Sequence, residues 1–150
     1  MGGGSIDHVN IPFLKELIMA ECDNAFLEKH IENKELVSKI RIAAEMLVAY
    51  DAHILGYCAF YANNPKTKDV YITLIAVKPM YQNKHIGKRL LRALEDMAIC
   101  RRMLRISLEV KKSNKKAIDF YVKNGFAVVG EKSSVSFLMS KSLECVANIV

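Results

Sequence analysis

Apolar residues recur at helical spacing between Ile11 and Cys22, where Phe13, Leu14, Leu17 and Ile18 mark one stripe and Pro12 sits in the first turn. Asp23-Asn24 ends that pattern, and a second helix is predicted from Glu35 to Glu45, with Leu36, Ile40, Ala43 and Ala44 on one face. The period then changes. Met46 to Tyr50 and Ile54 to Tyr61 are strand-like runs, and Asp51-Ala52-His53 joins them closely enough for a hairpin. Asn63-Asn64-Pro65 predicts a turn. Val70 to Val77 is nearly all apolar and rich in β-branched residues, which predicts a central strand covered on both faces, closed by Pro79.

Past a polar stretch with one glycine, Ile86, Leu90, Leu94 and Met97 give a strong helical stripe, widened by Leu91 and Ala98. Lys84, Lys88 and Arg92, spaced by four, fall on a different side. Leu104 to Val110 reads as a strand with Ile106, Leu108 and Val110 on one face and Ser107 and Glu109 on the other. Asn114 can cap a helix running to about Lys123, ended by Asn124-Gly125. Phe126 to Val129 and Val135 to Met139 supply two last strands. The order α-α-β-β-β-α-β-α-β-β predicts an α+β fold with a mixed central sheet of about six to seven strands. No segment repeats. Met1-Gly2-Gly3-Gly4-Ser5 reads as an appended linker, so the domain is expected over residues 6–150.

The 150 residues suit one domain, large enough to bury a core without disulfides or a metal. A content of 51% apolar and 25% charged residues argues against long disorder. No apolar run approaches the roughly 18 to 20 residues that span a bilayer, and no secretory signal is visible. A cytoplasmic protein with no membrane association is the expectation. Cys22, Cys58, Cys100 and Cys145 show no C-x-x-C spacing, and reduced, buried thiols are expected. His8, His30, His53 and His85 are scattered, and no metal site is expected.

Charge is concentrated. Thirteen basic residues against Glu95, Asp96, Glu109 and Asp119 lie between Lys78 and Lys123, while the whole chain carries +6. Such a segment suits a polyanion: nucleic acid, a membrane surface or a phosphorylated small molecule. Strand 70–77, its loop and the helix starting near His85 narrow the choice. A helix start offers unpaired N–H groups and a positive dipole end, a ready anion site. Lys84 and Lys88 stand where a free helix would prefer acids, a local cost that a bound polyphosphate would offset. A solvated, Lys-rich helix start accounts for the same residues. Neither the nucleotide P-loop nor the dinucleotide glycine pattern is present.

Three stretches resemble the GCN5-related N-acetyltransferase (GNAT) superfamily. Ile75-Ala76-Val77-Lys78-Pro79 followed by Tyr81-Gln82-Asn83-Lys84-His85-Ile86-Gly87-Lys88 is similar to the family's strand and pyrophosphate loop. Ser107-Leu108-Glu109-Val110-Lys111-Lys112-Ser113-Asn114 is similar to its fifth strand and following turn. Asn114 to Phe126 matches N-x-x-A-x-x-[FL]-Y-x-x-x-G-F, its fourth-helix signature. His85 departs from the loop pattern by replacing the first glycine; it would donate the same backbone N–H at a negative φ. Within the family, the ribosomal-protein alanine acetyltransferase subgroup is nearest in motif. The resemblance implies a single domain with four helices about the sheet, and acetyl-coenzyme A as acetyl donor. The backbone of Ile75, Ala76 and Val77 would pair with the pantetheine arm as an added strand. Gln82 and the amides of Asn83, Lys84, His85, Ile86, Gly87 and Lys88 would hold the pyrophosphate, and Asn114 would bond along the arm.

An amine attacking a thioester must first lose a proton, and a lysine-like ammonium has a pKa near ~10. The developing oxyanion needs a donor, for which the resemblance implies the amide near Ala76 or Val77. Glu109 is the candidate base, since partial burial on an apolar strand would favour its taking a proton. A surface acid paired with Lys111 or Arg105 is the alternative. The resemblance implies Tyr121, at the position of the family's motif tyrosine, as the candidate acid near the coenzyme sulfur. A phenol near ~10 is a weaker acid than a thiol near ~8.5, so hydrogen bonding to the leaving thiolate fits better than full transfer. The alternative is a core tyrosine. Cys58 and Cys100 offer a ping-pong route, which is disfavoured; Cys100 falls at the end of an amphipathic helix and has no histidine nearby in sequence.

The expected function is acetyl transfer to a primary amine by direct attack in a ternary complex. The acceptor, a protein N-terminus or a small amine such as an amino sugar, stays open. Tyr57, Tyr61, Asn63 and Tyr71 are candidate acceptor contacts, with core or turn positions as the alternative. A non-catalytic acyl-CoA-binding module is the second reading. Nucleic-acid binding through 78–123 lacks interleaved aromatics and is not expected. Homodimer formation is left open.

Overall fold

The structure is a computed structural model, and it describes residues 4–26 and 34–143, with side chains described over 4–22 and 35–143. Cys145 and His30 lie outside the described residues. Seven strands run β1 (Ser5–Val9), β2 (Glu45–Tyr50), β3 (Ile54–Tyr61), β4 (Asp69–Val77), β5 (Arg105–Lys111), β6 (Ala127–Ser133) and β7 (Ser136–Ser142). Among the described residues the four α-helices are α1 (Pro12–Phe26), α2 (Lys34–Ala43), α3 (Ile86–Cys100) and α4 (Lys115–Lys123). The sheet order is β1-β2-β3-β4-β5-β7-β6, parallel at β4–β5 and antiparallel in every other pairing with a described register.

The chain divides into two compact units, one of residues 1–61 and 74–94, the other of residues 62–73 and 95–150. The first holds β1 to β3, the end of β4, and α1 and α2. Its core gathers Ile18, Met19, Ile40, Met46, Val48 and Tyr57. The buried Lys15 donates from Nζ to the Ala44 carbonyl at 2.6 Å, satisfying an acceptor that α2 leaves open at its C-terminus. The hairpin at 51–53 closes through Asp51 N–H to the His53 carbonyl and His53 N–H to Asp51 Oδ1, both 2.9 Å.

The second unit holds the start of β4 with β5, β7, β6 and α4. Ile106, Leu108 and Val110 are buried and Glu109 is exposed, as the alternation predicts, although Ser107 is buried too. Asn64 makes the turn expected at 63–65, its Oδ1 accepting from Lys66 and Thr67 N–H. Asn114 caps α4, and Gly125 after it has φ +94°, where a Cβ would meet the Lys141 side chain at 2.9 Å.

One element was not foreseen and two expectations need correction. β1, from Ser5 to Val9, was not predicted. Glu45 belongs to β2 rather than to the second helix. β4 is not covered on both faces: Val70, Ile72 and Ala76 are buried, whereas Tyr71, Thr73, Ile75 and Val77 keep partial exposure.

Candidate functional site

β4 carries the first part of the site. Its register with β5 runs from Asp69↔Arg105 to Ile72↔Leu108, and the strand continues five residues further, to Val77. Backbone groups of that extension on the β5 side are therefore not spent on the described ladder. On the other side β4 lies close to β3. Lys78 N–H donates to the Leu55 carbonyl at 3.0 Å, and a Cβ on Gly56 would meet the Ala76 carbonyl oxygen at 2.6 Å. Gly56 is the residue that permits this approach.

A 3-10 turn at Pro79–Tyr81 leads to the loop before α3. Gln82 Nε2 donates to the Val77 carbonyl at 3.1 Å, so the side chain of this residue braces the loop against the end of β4. Asn83 has φ +63° and His85 φ +65°, with Lys84 between them at an ordinary negative φ. The conformation expected of His85 is thus corrected: it adopts the left-handed backbone that a glycine would supply, at a steric cost to an L-residue. Left-handed residues beside right-handed ones are what turn successive N–H groups toward one side in an anion-binding nest. The first helical bond of α3 is Arg89 N–H to the His85 carbonyl, 3.0 Å, so the amides of Ile86, Gly87 and Lys88 precede it. Lys84 and Lys88 are exposed, and the first turn holds no acid. Lys78 is otherwise engaged, paired with Glu21 at 3.1 Å. These residues fit a polyanion with an extended arm.

The second unit carries the groups suited to proton transfer. Glu109 is exposed, not partly buried as expected. Its Oε2 accepts from Ser136 Oγ at 2.6 Å. Tyr71, half-buried on the adjacent strand, has its phenol pushed above the ordinary value by burial, with the Glu109 charge adding to the effect. It therefore stays a neutral donor. Ser107 donates to Asp69 at 3.0 Å on the same sheet face. Tyr121 is 7% exposed and packs edge-on to Phe120 and Phe126, with centroids 5.3 and 5.5 Å away. Packing thus fixes the ring, whatever its hydroxyl does. Asn114 Oδ1 accepts from Ala117 N–H at 3.2 Å, so a ligand would address its Nδ2 hydrogens.

The acceptor candidates separate. Tyr57 is wholly buried in the first core, which removes it from any surface contact. Tyr61 is partly buried against that core. Asn63 is exposed and lines an open cavity of about 410 Å³ with Lys68, Arg101 and Met103. Tyr71 lies beside Glu109. A second open cavity of about 440 Å³ runs along α1 and the β2–β3 hairpin, lined by Leu14, Ile18, Val48 and Ile54. Neither cavity includes residues 75–77 or 82–88. Among the thiols, burial pushes Cys58 up to about 12, which removes it as a nucleophile, and Cys22 is buried. Cys100 is exposed, contrary to expectation. No cluster of three or more metal-ligating side chains occurs among the described residues. None of their helices is long and apolar enough to cross a membrane. Ser136 was not foreseen, because a sequence does not reveal which β7 residue meets Glu109.

Comparison with known proteins bears on the family and the fold. The chain is 34% identical over 80 residues to a Bacillus subtilis protein named as a putative ribosomal protein bS18-alanine N-acetyltransferase, covering 53% of this chain and 51% of the relative. The match thus spans about half the length of that relative. A Thermoplasma acidophilum spermidine N(1)-acetyltransferase is 29% identical over 124 residues, covering 78% of this chain and 73% of the other. The fold matches the crystal structure of the PaiA N-acetyltransferase from Thermoplasma acidophilum in complex with coenzyme A. There the TM-score is 0.71 at 22% identity, over 92% of this chain and 99% of that one. Residues 12–126 match the Acetyltransferase (GNAT) family, and the chain belongs to that family.

Proposed function

We propose that this chain is an N-acetyltransferase that binds acetyl-CoA and acetylates a primary amine by direct attack in a ternary complex. The observation that carries the reading is the phosphate loop. Two left-handed residues flank Lys84 directly before a helix start free of acids, at the end of a strand that outruns its neighbour. Coenzyme A has the matching chemistry, a polyanionic head on an extended amide-bearing arm.

When bound, acetyl-CoA supplies an acetyl group activated as a thioester. The backbone of Ile75, Ala76 and Val77 pairs with the arm, and an amide at Ala76 or Val77 donates to the carbonyl oxygen. Asn83 to Lys88 hold the pyrophosphate through their amides, with Lys84 and Lys88 adding charge. Asn114 donates along the arm. Glu109, exposed to solvent, takes the ammonium proton directly or through a water. Tyr121 donates a hydrogen bond to the departing sulfur. Tyr71, Tyr61 and Asn63 are the remaining acceptor contacts, and the family membership supports either a protein N-terminus or a small amine.

The test is release of free thiol from acetyl-CoA over a panel of small amines, amino sugars and N-terminal peptides. Amine-dependent release is expected with at least one class. Coenzyme binding with no release on any amine would instead favour a binding module.

A further inference from the structure

We propose that Ser136, assisted by Ser133, is a positioning residue for Glu109: a directed chain of hydroxyls from the β6–β7 turn fixes one carboxylate oxygen and leaves the other to the acceptor. The proposal rests on the reading of Glu109 as the base.

The direction follows from counting protons. Val135 N–H lies 3.2 Å from Ser133 Oγ, Ser133 Oγ lies 2.8 Å from Ser136 Oγ, and Ser136 Oγ lies 2.6 Å from Glu109 Oε2. A backbone N–H only donates and an ionised carboxylate only accepts, while each hydroxyl has one hydrogen. Ser136 spends its hydrogen on Glu109, so the bond between the serines must come from Ser133, whose oxygen accepts from Val135. Every hydrogen is used once. A proton on Glu109 Oε2 would turn the chain around, with Ser136 then donating to Ser133, so the direction from Ser133 to Glu109 is that of the charged carboxylate. Ser136 is 2% exposed, so this hydroxyl is shielded from water while Glu109 is open to it. Hydrogen bonds to charged groups are stronger when the donor is shielded and short.

Other polar groups surround Glu109 on the packed elements. Tyr71 stands on β4, Lys111 follows on β5, and Lys112 is paired with Glu131 across to β6. Asp69 is engaged by Ser107. All are kept in the variants below.

The experiment compares wild type, Ser136→Ala, Ser136→Thr, Ser133→Ala and Glu109→Gln. It reads the pH profile of kcat/KM and the carbon-13 NMR titration of the Glu109 carboxyl. In Ser136→Ala the acidic limb and the carboxyl titration are expected to move up by about one pH unit, with about tenfold lower rate below the limb. Ser136→Thr, which keeps the hydroxyl, restores both. Ser133→Ala, at an exposed site that folding tolerates, moves them the same way by less. Unmoved titration in both alanine variants, with Glu109→Gln impaired, overturns the proposal. Full activity of Glu109→Gln alongside a shifted titration keeps the hydroxyl chain and removes Glu109 as base.

Discussion

Asn83 and His85 both occupy a backbone region that costs an L-residue roughly 1 to 2 kcal/mol, and they do so two residues apart at the start of α3. Asparagine tolerates this and histidine less so. His85→Gly is therefore expected to keep coenzyme affinity or raise it several-fold, while His85→Val, β-branched, lowers it at least tenfold; calorimetric titration with acetyl-CoA measures both. Tyr121 poses a different question, since its ring is held by Phe120 and Phe126 whatever its hydroxyl does. Tyr121→Phe preserves that packing. It should lower kcat at least tenfold with little change in coenzyme affinity, and an unchanged kcat would make the phenol dispensable. Cys58 gives a pH prediction. Its folded thiol keeps its proton to about 12, against an ordinary value of 9.0. Between those values the folded state binds more protons than the unfolded, so stability falls as pH rises through the window. Denaturant unfolding should show that slope flattened in Cys58→Ala, and iodoacetamide at pH 8 should label Cys100 while sparing Cys58.

At the level of elements, the end of β4 depends on Gly56 of β3. A methyl group there would press on the Ala76 carbonyl oxygen, which is backbone and has little room to yield. Gly56→Ala is expected to cost about 1–3 kcal/mol by thermal unfolding and to weaken acetyl-CoA binding, because it displaces Ala76 and Val77. Strongly periodic elements were legible in the sequence: α3 from Ile86, Leu90 and Leu94, and β5 from its alternation. β1 was not, because Ser5–Val9 has two apolar residues in five and sits at a sheet edge with little to bury. β6 and β7 run further than their apolar runs suggest, since Glu131 and Lys141 are carried by backbone pairing rather than burial. The apolar character of β4 pointed to two covered faces. One of them is only partly covered, which no single-strand pattern distinguishes from full burial.

For the molecule as a whole, the order of three motifs carried the family, and the fold and the match over 12–126 agree with it. The positions of Ile75 to Lys88 were legible because a strand, a polar loop and a helix start are local. Burial was not: Tyr57 looked like an acceptor contact and is core, whereas Glu109 looked half-buried and is open to solvent. Both depend on which distant segment covers them. The central claim is that the chain grips acetyl-CoA through the backbone from Ile75 to Lys88. Titration calorimetry of acetyl-CoA into the protein, repeated with Lys84→Glu/Lys88→Glu and at raised salt, tests it most directly. The account predicts saturable one-to-one binding, weakened by the charge reversal and by salt. Absence of binding at millimolar acetyl-CoA, or affinity indifferent to both changes, would contradict it.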